Sequence, residues 1–196
     1  MKLIINGSEV DFTLENEKTV GDVLNSIETE CEKIDATIID IKVNDKQIAA
    51  EEIESLSETG IDQCECLEVV SIALNDIMGS FKDLCPRIET LCGKLSEMPV
   101  LLQQSKEQES AEIIKEFADI FDILCHLISL SSLFPENFKD KLIEGESLSE
   151  FLRNFSPLLN DFENSLQSKD TILTGDLAEY EIKPRLENFI NAVRSF

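Results

Sequence analysis

The pattern of apolar and polar positions changes period once along the chain. In residues 1–74, apolar side chains form short runs or alternate with polar ones, as in β-strands. From Asn75 onward they recur at steps of three and four, which is the period of an amphipathic helix. We therefore predict an α+β protein with a sheet-containing domain at residues 1–74 and a helical domain at 75–196.

The first strands are predicted at the N-terminus. A short apolar run, Met1 to Ile5, precedes Asn6-Gly7, a dipeptide typical of tight β-hairpins. The alternation of Val10, Phe12 and Leu14 with polar residues then predicts a second, half-buried strand.

A helix is predicted after this hairpin. Thr19, with Asp22 three residues later, has the spacing of a capping box. The predicted apolar stripe of the helix comprises Val20, Val23, Leu24, Ile27, Cys31 and Ile34.

The rest of the first domain is predicted to be strands joined by turns. The stretch "TIIDIKVNDKQI" reads as a strand, a tight turn at Asn44-Asp45 and a short return strand. "EEIESLSETGI" is predicted to form a helical turn or loop, and "CECLEVVSI" a final strand.

This order of elements, with "IKVNDKQI" and "ESLSETGI" where they stand, resembles the ubiquitin-like β-grasp fold over residues 1–72. Ubiquitin and the related sulfur carriers end in Gly-Gly, whereas here the last strand continues through Ser71 to Leu74. The resemblance therefore implies a compact scaffold and gives no support to conjugation or thiocarboxylate chemistry. At the outward positions that match the apolar patch of ubiquitin, the chain has Lys42, Glu68 and Val70, which predicts a polar face.

Four amphipathic segments follow, and short connections between them predict an antiparallel bundle of about four helices. Pro86 and Pro99 lie off the first stripe, so that segment is either one kinked helix or two consecutive helices. Its stripe is Ile77, Phe81, Leu84, Ile88, Leu91, Leu95, Met98 and Leu102. The other stripes begin at Ile113, Leu148 and Leu173; the third includes Leu159, and the fourth includes Leu173, Leu177, Tyr180 and Leu186.

The chain is strongly acidic, with a formal net charge of −23. A surface of this sign repels nucleic acid and anionic membranes, and it suits a basic protein partner. Solubility alone is the competing explanation of the charge. Because no apolar run is long enough to span a bilayer and the N-terminal one is too short for a signal peptide, we expect a cytoplasmic protein.

Catalytic and metal-binding patterns are not apparent in the sequence. The six cysteines form no CxxC pair, so we expect reduced, apolar cysteines and neither metal nor cofactor. The single histidine, His126, adjoins Cys125, and neighbouring helical side chains diverge too far to form a dyad. We therefore expect that the protein is not an enzyme.

One stretch stands out as a candidate partner surface: "TGDLAEYEIKPRLENF", Thr174 to Phe189. Pro184 interrupts a helical pattern, and Gly175 would let another helix approach closely. The competing interpretation is a kink that serves packing alone. The candidate residues are Asp176, Glu179, Tyr180, Glu181, Lys183 and Arg185, with Phe134 and Phe138, which flank a loop proline and are expected to be partly exposed.

The leading functional hypothesis is a non-catalytic protein–protein interaction module, an adaptor or a chaperone-like client binder. Small acidic helical proteins are the general type of secretion and flagellar export chaperones, an analogy by class alone. The alternatives are an enzyme that uses carboxylates in an inter-domain cleft and, with less support, a β-grasp carrier or modifier.

Overall fold

A computed structural model describes all residues, Met1–Phe196. The chain divides into two compact units, Met1–Asp76 and Ile77–Phe196. The first is built on a sheet and the second is almost wholly helical, so the protein is α+β. None of its helices has the length and hydropathy of a membrane span.

The first unit contains a five-stranded mixed sheet and one α-helix. The sheet has the order β2-β1-β5-β3-β4; β1 and β5 are parallel and the other neighbours antiparallel. The elements are β1 (Lys2–Ile5), β2 (Ser8–Glu9), α1 (Val20–Glu32), β3 (Ala36–Val43), β4 (Lys46–Gln47) and β5 (Cys66–Ala73), with 3₁₀ helices at Ala50–Ser57 and Ile61–Gln63.

The turns and the helix cap of this unit confirm the sequence prediction. Asn6-Gly7 and Asn44-Asp45 both adopt positive φ, as two-residue hairpin turns require. Thr19 Oγ1 accepts the Asp22 N–H at 3.1 Å, and the Asp22 carboxylate accepts the Thr19 N–H at 3.0 Å. Each feature depends only on a few consecutive residues, which is why a local pattern identifies it.

The two faces of the sheet differ in polarity. The buried core combines residues of α1, such as Val23 and Leu24, with Leu67 and Val69 of β5. On the other face, Lys42 Nζ lies 3.8 Å from the Glu68 carboxylate, while Val70 is exposed. This face is therefore polar, as predicted.

The prediction of a strand at Val10, Phe12 and Leu14 is wrong: β2 comprises only Ser8–Glu9, and residues 10–14 are not in a strand. The Glu17 carboxylate accepts the N–H groups of Glu15 and Asn16 and the hydroxyl of Ser26, which closes a loop onto α1. Val10 and Leu14 consequently remain exposed.

The predicted stripe of α1 is also too long by one member. Five members of the stripe are buried and Ile34 is exposed; the buried ones are Val20, Val23, Leu24, Ile27 and Cys31. The helix ends at Glu32, two residues before Ile34, so Ile34 lies in the turn that follows and cannot continue the stripe.

The second unit begins within a single long helix. Helix α2 (Leu74–Gln103) follows β5 directly and contains both Pro86 and Pro99. Of the two alternatives, one helix or two consecutive helices, the structure therefore has one helix. Its stripe from Ile77 to Met98 is buried as predicted. The following elements are α3 (Glu107–Ser131), α4 (Pro135–Phe138), β6 (Leu142–Ile143), β7 (Glu146–Ser147), α5 (Leu148–Gln167), α6 (Thr171–Asp176), a π-helix (Leu177–Ile182) and α7 (Lys183–Val193).

The small hairpin of β6 and β7 was not predicted. Its turn residues, Glu144 and Gly145, both have positive φ. The glycine between two short runs was the available signal, but each strand has only two residues and gives no alternation to detect.

Phenylalanine rings form the centre of the second unit. Phe81 contacts Phe138, Phe189 and Phe196 at centroid distances of 6.0–6.1 Å. Further ring contacts join these to the rest of one network, which comprises Phe81, Phe117, Phe121, Phe138, Phe151, Phe155, Phe162, Phe189 and Phe196. Within α5, Leu158 is buried and the predicted Leu159 is only half-buried.

Candidate protein-binding surface

The candidate surface lies on the last helical segment, in which α6, the π-helix and α7 are continuous from Thr171 to Val193. Asp170 caps its start by accepting the Leu173 N–H at 3.0 Å. The π-helix ends at Ile182, two residues before Pro184, which has no N–H to donate. The Lys183 N–H donates to the Ala178 carbonyl, five residues earlier, whereas an α-helix pairs residues four apart. The wider turn therefore lies next to the proline, where the α-helical hydrogen-bond pattern is interrupted.

The π-helix changes which side chains are buried. Ala178 and Ile182 are fully buried, whereas Tyr180 is 65% exposed. The regular helical stripe predicted Tyr180 on the buried side, and that expectation is wrong. Tyr180 is two residues from each of these buried positions, so its side chain lies on the opposite side of the helix, and the buried face follows Ala178 and Ile182 and not the predicted stripe.

Acidic groups surround the exposed ring. The charge of Glu179 and a hydrogen bond with it raise the pKa of Tyr180, and the charge of Asp176 adds to the effect. Asp176 and Glu181 are exposed, and Glu179 is half-buried. The structure therefore brings Asp176, Glu179 and Tyr180 together as an acidic aromatic surface, which we term the Tyr180 surface; Glu181 is exposed on the same π-helix.

The two predicted basic residues have partners within the unit. The Arg185 guanidinium donates to the Asn154 carbonyl at 3.1 Å and lies 5.7 Å from the Phe155 ring centroid. Lys183 Nζ is 3.8 Å from the Glu187 carboxylate. Arg185 thus holds the last helical segment against α5, and the Tyr180 surface itself is acidic.

The two predicted phenylalanines lie elsewhere. Phe138 is only 7% exposed and contacts Phe81 in the aromatic core, so its expected exposure is not observed. Phe134 is half-buried next to α4. The sequence shows that both phenylalanines lie near a loop proline. It does not show which of the two rings packs into the aromatic core, because that depends on contacts with residues distant in the chain.

Two exposed apolar residues near the start of the segment were missed as surface residues. Ile172 and Leu173 are both exposed, although Leu173 had been assigned to the buried stripe. Their position in the first turn after the Asp170 cap was the only available signal.

Two further contacts fix the position of α6. A Cβ atom on Gly175 would meet Pro99 of α2 at 3.0 Å, so the predicted close helix approach at this glycine is confirmed. The buried hydroxyls of Thr174 and Ser165 lie 2.9 Å apart, which joins α6 to α5. Both contacts hold the start of the segment, from which the Tyr180 surface projects.

The remaining chemistry-bearing residues do not assemble into a second site. No group of three or more His, Cys, Asp or Glu side chains is arranged to hold a metal ion. All six cysteines are free. Burial raises the pKa of Cys92 to about 11, and it also raises that of Cys64, Cys85 and Cys125.

Comparison with known proteins gives matches over both units. The TP0873 N-terminal domain matches residues 1–73, and a domain of unknown function, DUF8042, matches residues 76–192. An uncharacterized protein of Treponema pallidum (strain Nichols) is 26% identical over 193 residues, which cover 98% of this chain and 96% of that protein. No solved structure matches. Because the second match spans more than half of the sequence, the chain belongs to the DUF8042 family.

Proposed function

We propose that the protein is a non-catalytic interaction module, an adaptor or chaperone-like binder, whose Tyr180 surface holds a basic segment of a protein partner. The observation that carries this proposal is the 65% exposure of Tyr180 beside Asp176 and Glu179. Exposed tyrosines are frequent anchors of protein interfaces, because the ring offers a large contact area and the hydroxyl a hydrogen bond.

The charge of the chain supports a cationic partner. At a net charge of −23, the long-range field accelerates encounter with positively charged proteins and opposes encounter with nucleic acid or anionic lipid. An Arg or Lys side chain from the partner can lie over the Tyr180 ring while it pairs with Glu179 or Asp176.

The architecture we propose is a ubiquitin-like β-grasp module joined to an antiparallel bundle of four helical segments. The sheet order β2-β1-β5-β3-β4 and the packing of α1 against one face of the sheet support the first part. Helices α2, α3 and α5 with the last helical segment support the second. The domain division we propose is 1–74 and 75–196, and a reducing, cytoplasmic location suits the free thiols.

The test is quantitative affinity capture from the source cell with the full chain as bait. We expect a stoichiometric basic protein partner, and we expect Tyr180→Ala with Glu179→Gln to reduce its recovery at least about tenfold, since interface aromatics are commonly hot spots. The matched control replaces an exposed apolar residue and an exposed acid outside the surface, Leu133→Ala with Glu97→Gln. Equal recovery with both pairs of substitutions would refute the proposal.

A further inference from the structure

The first unit has a stretch of backbone at one edge of its sheet, residues 10–14, that is unpaired after Val10; we term it the edge segment. It follows β2, the outermost strand on that side. The Val10 N–H donates to the Leu3 carbonyl at 3.0 Å, but the backbone N–H groups of residues 11–14 donate to no other residue. Free backbone groups at a sheet edge are a template for an additional strand.

An apolar groove lies beside the edge segment. Its volume is about 460 Å³, and Val10, Phe12 and Leu14 form one wall while Val23 and Ile27 of α1 contribute to another. Val10 is 36% and Leu14 43% exposed, and Ile34 at the end of the groove is 65% exposed. A volume of this size accommodates two or three apolar side chains, which would cover surface that the chain itself leaves open.

The other side of the edge segment carries negative charge. Glu9, Asp11 and Glu15 are exposed and do not line the groove. Glu9 already pairs with Lys2 Nζ at 2.9 Å, which leaves Asp11 and Glu15 for a partner. Opposite charges on neighbouring strands stabilise their pairing, so a strand added here should present Lys or Arg on this side. A second copy of this chain is a poor occupant, because two molecules of net charge −23 repel each other.

Both ends of the edge segment are held in place. At its start, the Val10 N–H is bonded to Leu3 of β1. Just beyond its end at residue 14, the Glu17 carboxylate accepts the Ser26 hydroxyl at 2.9 Å and the Glu15 N–H at 2.8 Å. These bonds anchor the ends while the backbone between them stays free. A segment ordered in advance loses less entropy when a partner binds.

We propose that the edge segment binds an extended segment of a partner protein in which apolar residues alternate with Lys or Arg. The partner adds to the sheet as a further strand, with its apolar side chains in the groove and its cations opposite Asp11 and Glu15. The site shares no residue with the Tyr180 surface, so it does not depend on the function proposed above.

The test uses the full chain and a capped, fluorescently labelled peptide of alternating Lys and Val. We expect saturable binding by anisotropy and changes in the amide NMR signals of residues 11–14. Val10→Ser with Leu14→Ser should weaken binding at least about tenfold, since two apolar contacts are lost. The matched control is Ile39→Ser with Ile53→Ser, two similarly exposed apolar residues that do not line this groove.

Further peptides separate the parts of the proposal without any change to the protein. N-methylation of alternate peptide bonds, which removes main-chain donors, should abolish binding, as should replacement of every Lys by Glu. Equal binding by the methylated peptide, or by a peptide with the same residues in two blocks, would overturn strand addition.

Two other outcomes would also overturn the proposal. One is the absence of saturable binding when Val, Ile, Leu and Phe are each tried at the apolar positions. The other is a dimer in sedimentation equilibrium that Val10→Ser with Leu14→Ser dissociates, because the occupant would then be a second copy.

Discussion

Gly175 and Pro99 lie in direct contact between α6 and α2. A Cβ atom at Gly175 would come within 3.0 Å of the Pro99 Cα and 3.1 Å of its Cβ. Because both atoms belong to a rigid ring within α2, near the C-terminal end of that helix, neither can move aside without shifting the helix. This contact sets how closely the start of the last helical segment approaches α2.

Gly175→Ala should therefore destabilise the protein by about 1–3 kcal/mol through overpacking. Gly93→Ala is the matched control, since Gly93 is also helical and nothing lies within 4 Å of its added Cβ. That control should stabilise the protein by roughly 1 kcal/mol through helix propensity. Chemical denaturation measures both, and equal stabilisation by the two substitutions would contradict the close contact.

The titration of Tyr180 tests the acidic surface. Since Glu179 and Asp176 raise its pKa, Glu179→Gln should lower that pKa toward the ordinary value of about 10. The chain has one tyrosine and no tryptophan, so phenolate absorbance reports Tyr180 alone. The distant substitution Glu97→Gln should leave the curve unchanged, and a Glu179→Gln curve that matches wild type would remove the basis for an acidic surface here.

The capping box of α1 should make stability depend on pH in the acid range. The Lys18 and Thr19 N–H groups that donate to Asp22 lower its pKa below the unfolded-state value of about 3.9. A carboxyl with a depressed folded-state pKa stabilises the fold above the unfolded-state value and loses that contribution as pH falls through the folded-state value. As pH falls below about 4, the unfolding free energy of Asp22→Asn should thus decline less steeply than that of wild type. The control Glu28→Gln should behave like wild type.

The cysteines should differ in their reactivity toward alkylating reagents. Burial raises the pKa of Cys92 to about 11, so almost none of it is thiolate at neutral pH. We expect iodoacetamide to modify half-buried Cys66 in the folded protein and Cys92 only after denaturation, as read by peptide mass spectrometry. Modification of both at the same rate without denaturant would contradict the burial of Cys92.

The first unit should fold by itself. Its core cluster is composed entirely of residues between Leu3 and Val69. Residues 1–76 expressed alone should therefore give a dispersed amide spectrum and a cooperative unfolding transition. A collapsed spectrum from this fragment would mean that its core depends on residues 77–196.

Local features were predictable from the sequence because they depend on neighbouring residues. The turns at Asn6-Gly7 and Asn44-Asp45 follow from the positive φ that these residues tolerate, and the cap at Thr19 follows from spacing. The buried stripe of α2 was predictable because its period continues through both prolines. The close approach at Gly175 was predictable as a possibility, though its partner Pro99 was not.

Other features were decided by tertiary structure. Phe138 is buried because its ring contacts Phe81 in the aromatic core. The backbone N–H groups of residues 11–14 stay unpaired in the loop that the Glu17–Ser26 hydrogen bond closes. Tyr180 is exposed because the buried face of its helix runs through Thr174, Ala178 and Ile182 and not through the predicted stripe. The sequence period by itself determined that the last segment is helical. Packing of Gly175 against Pro99 and of Thr174 against Ser165 decided which side of that helix is buried, and this leaves Tyr180 on the exposed side.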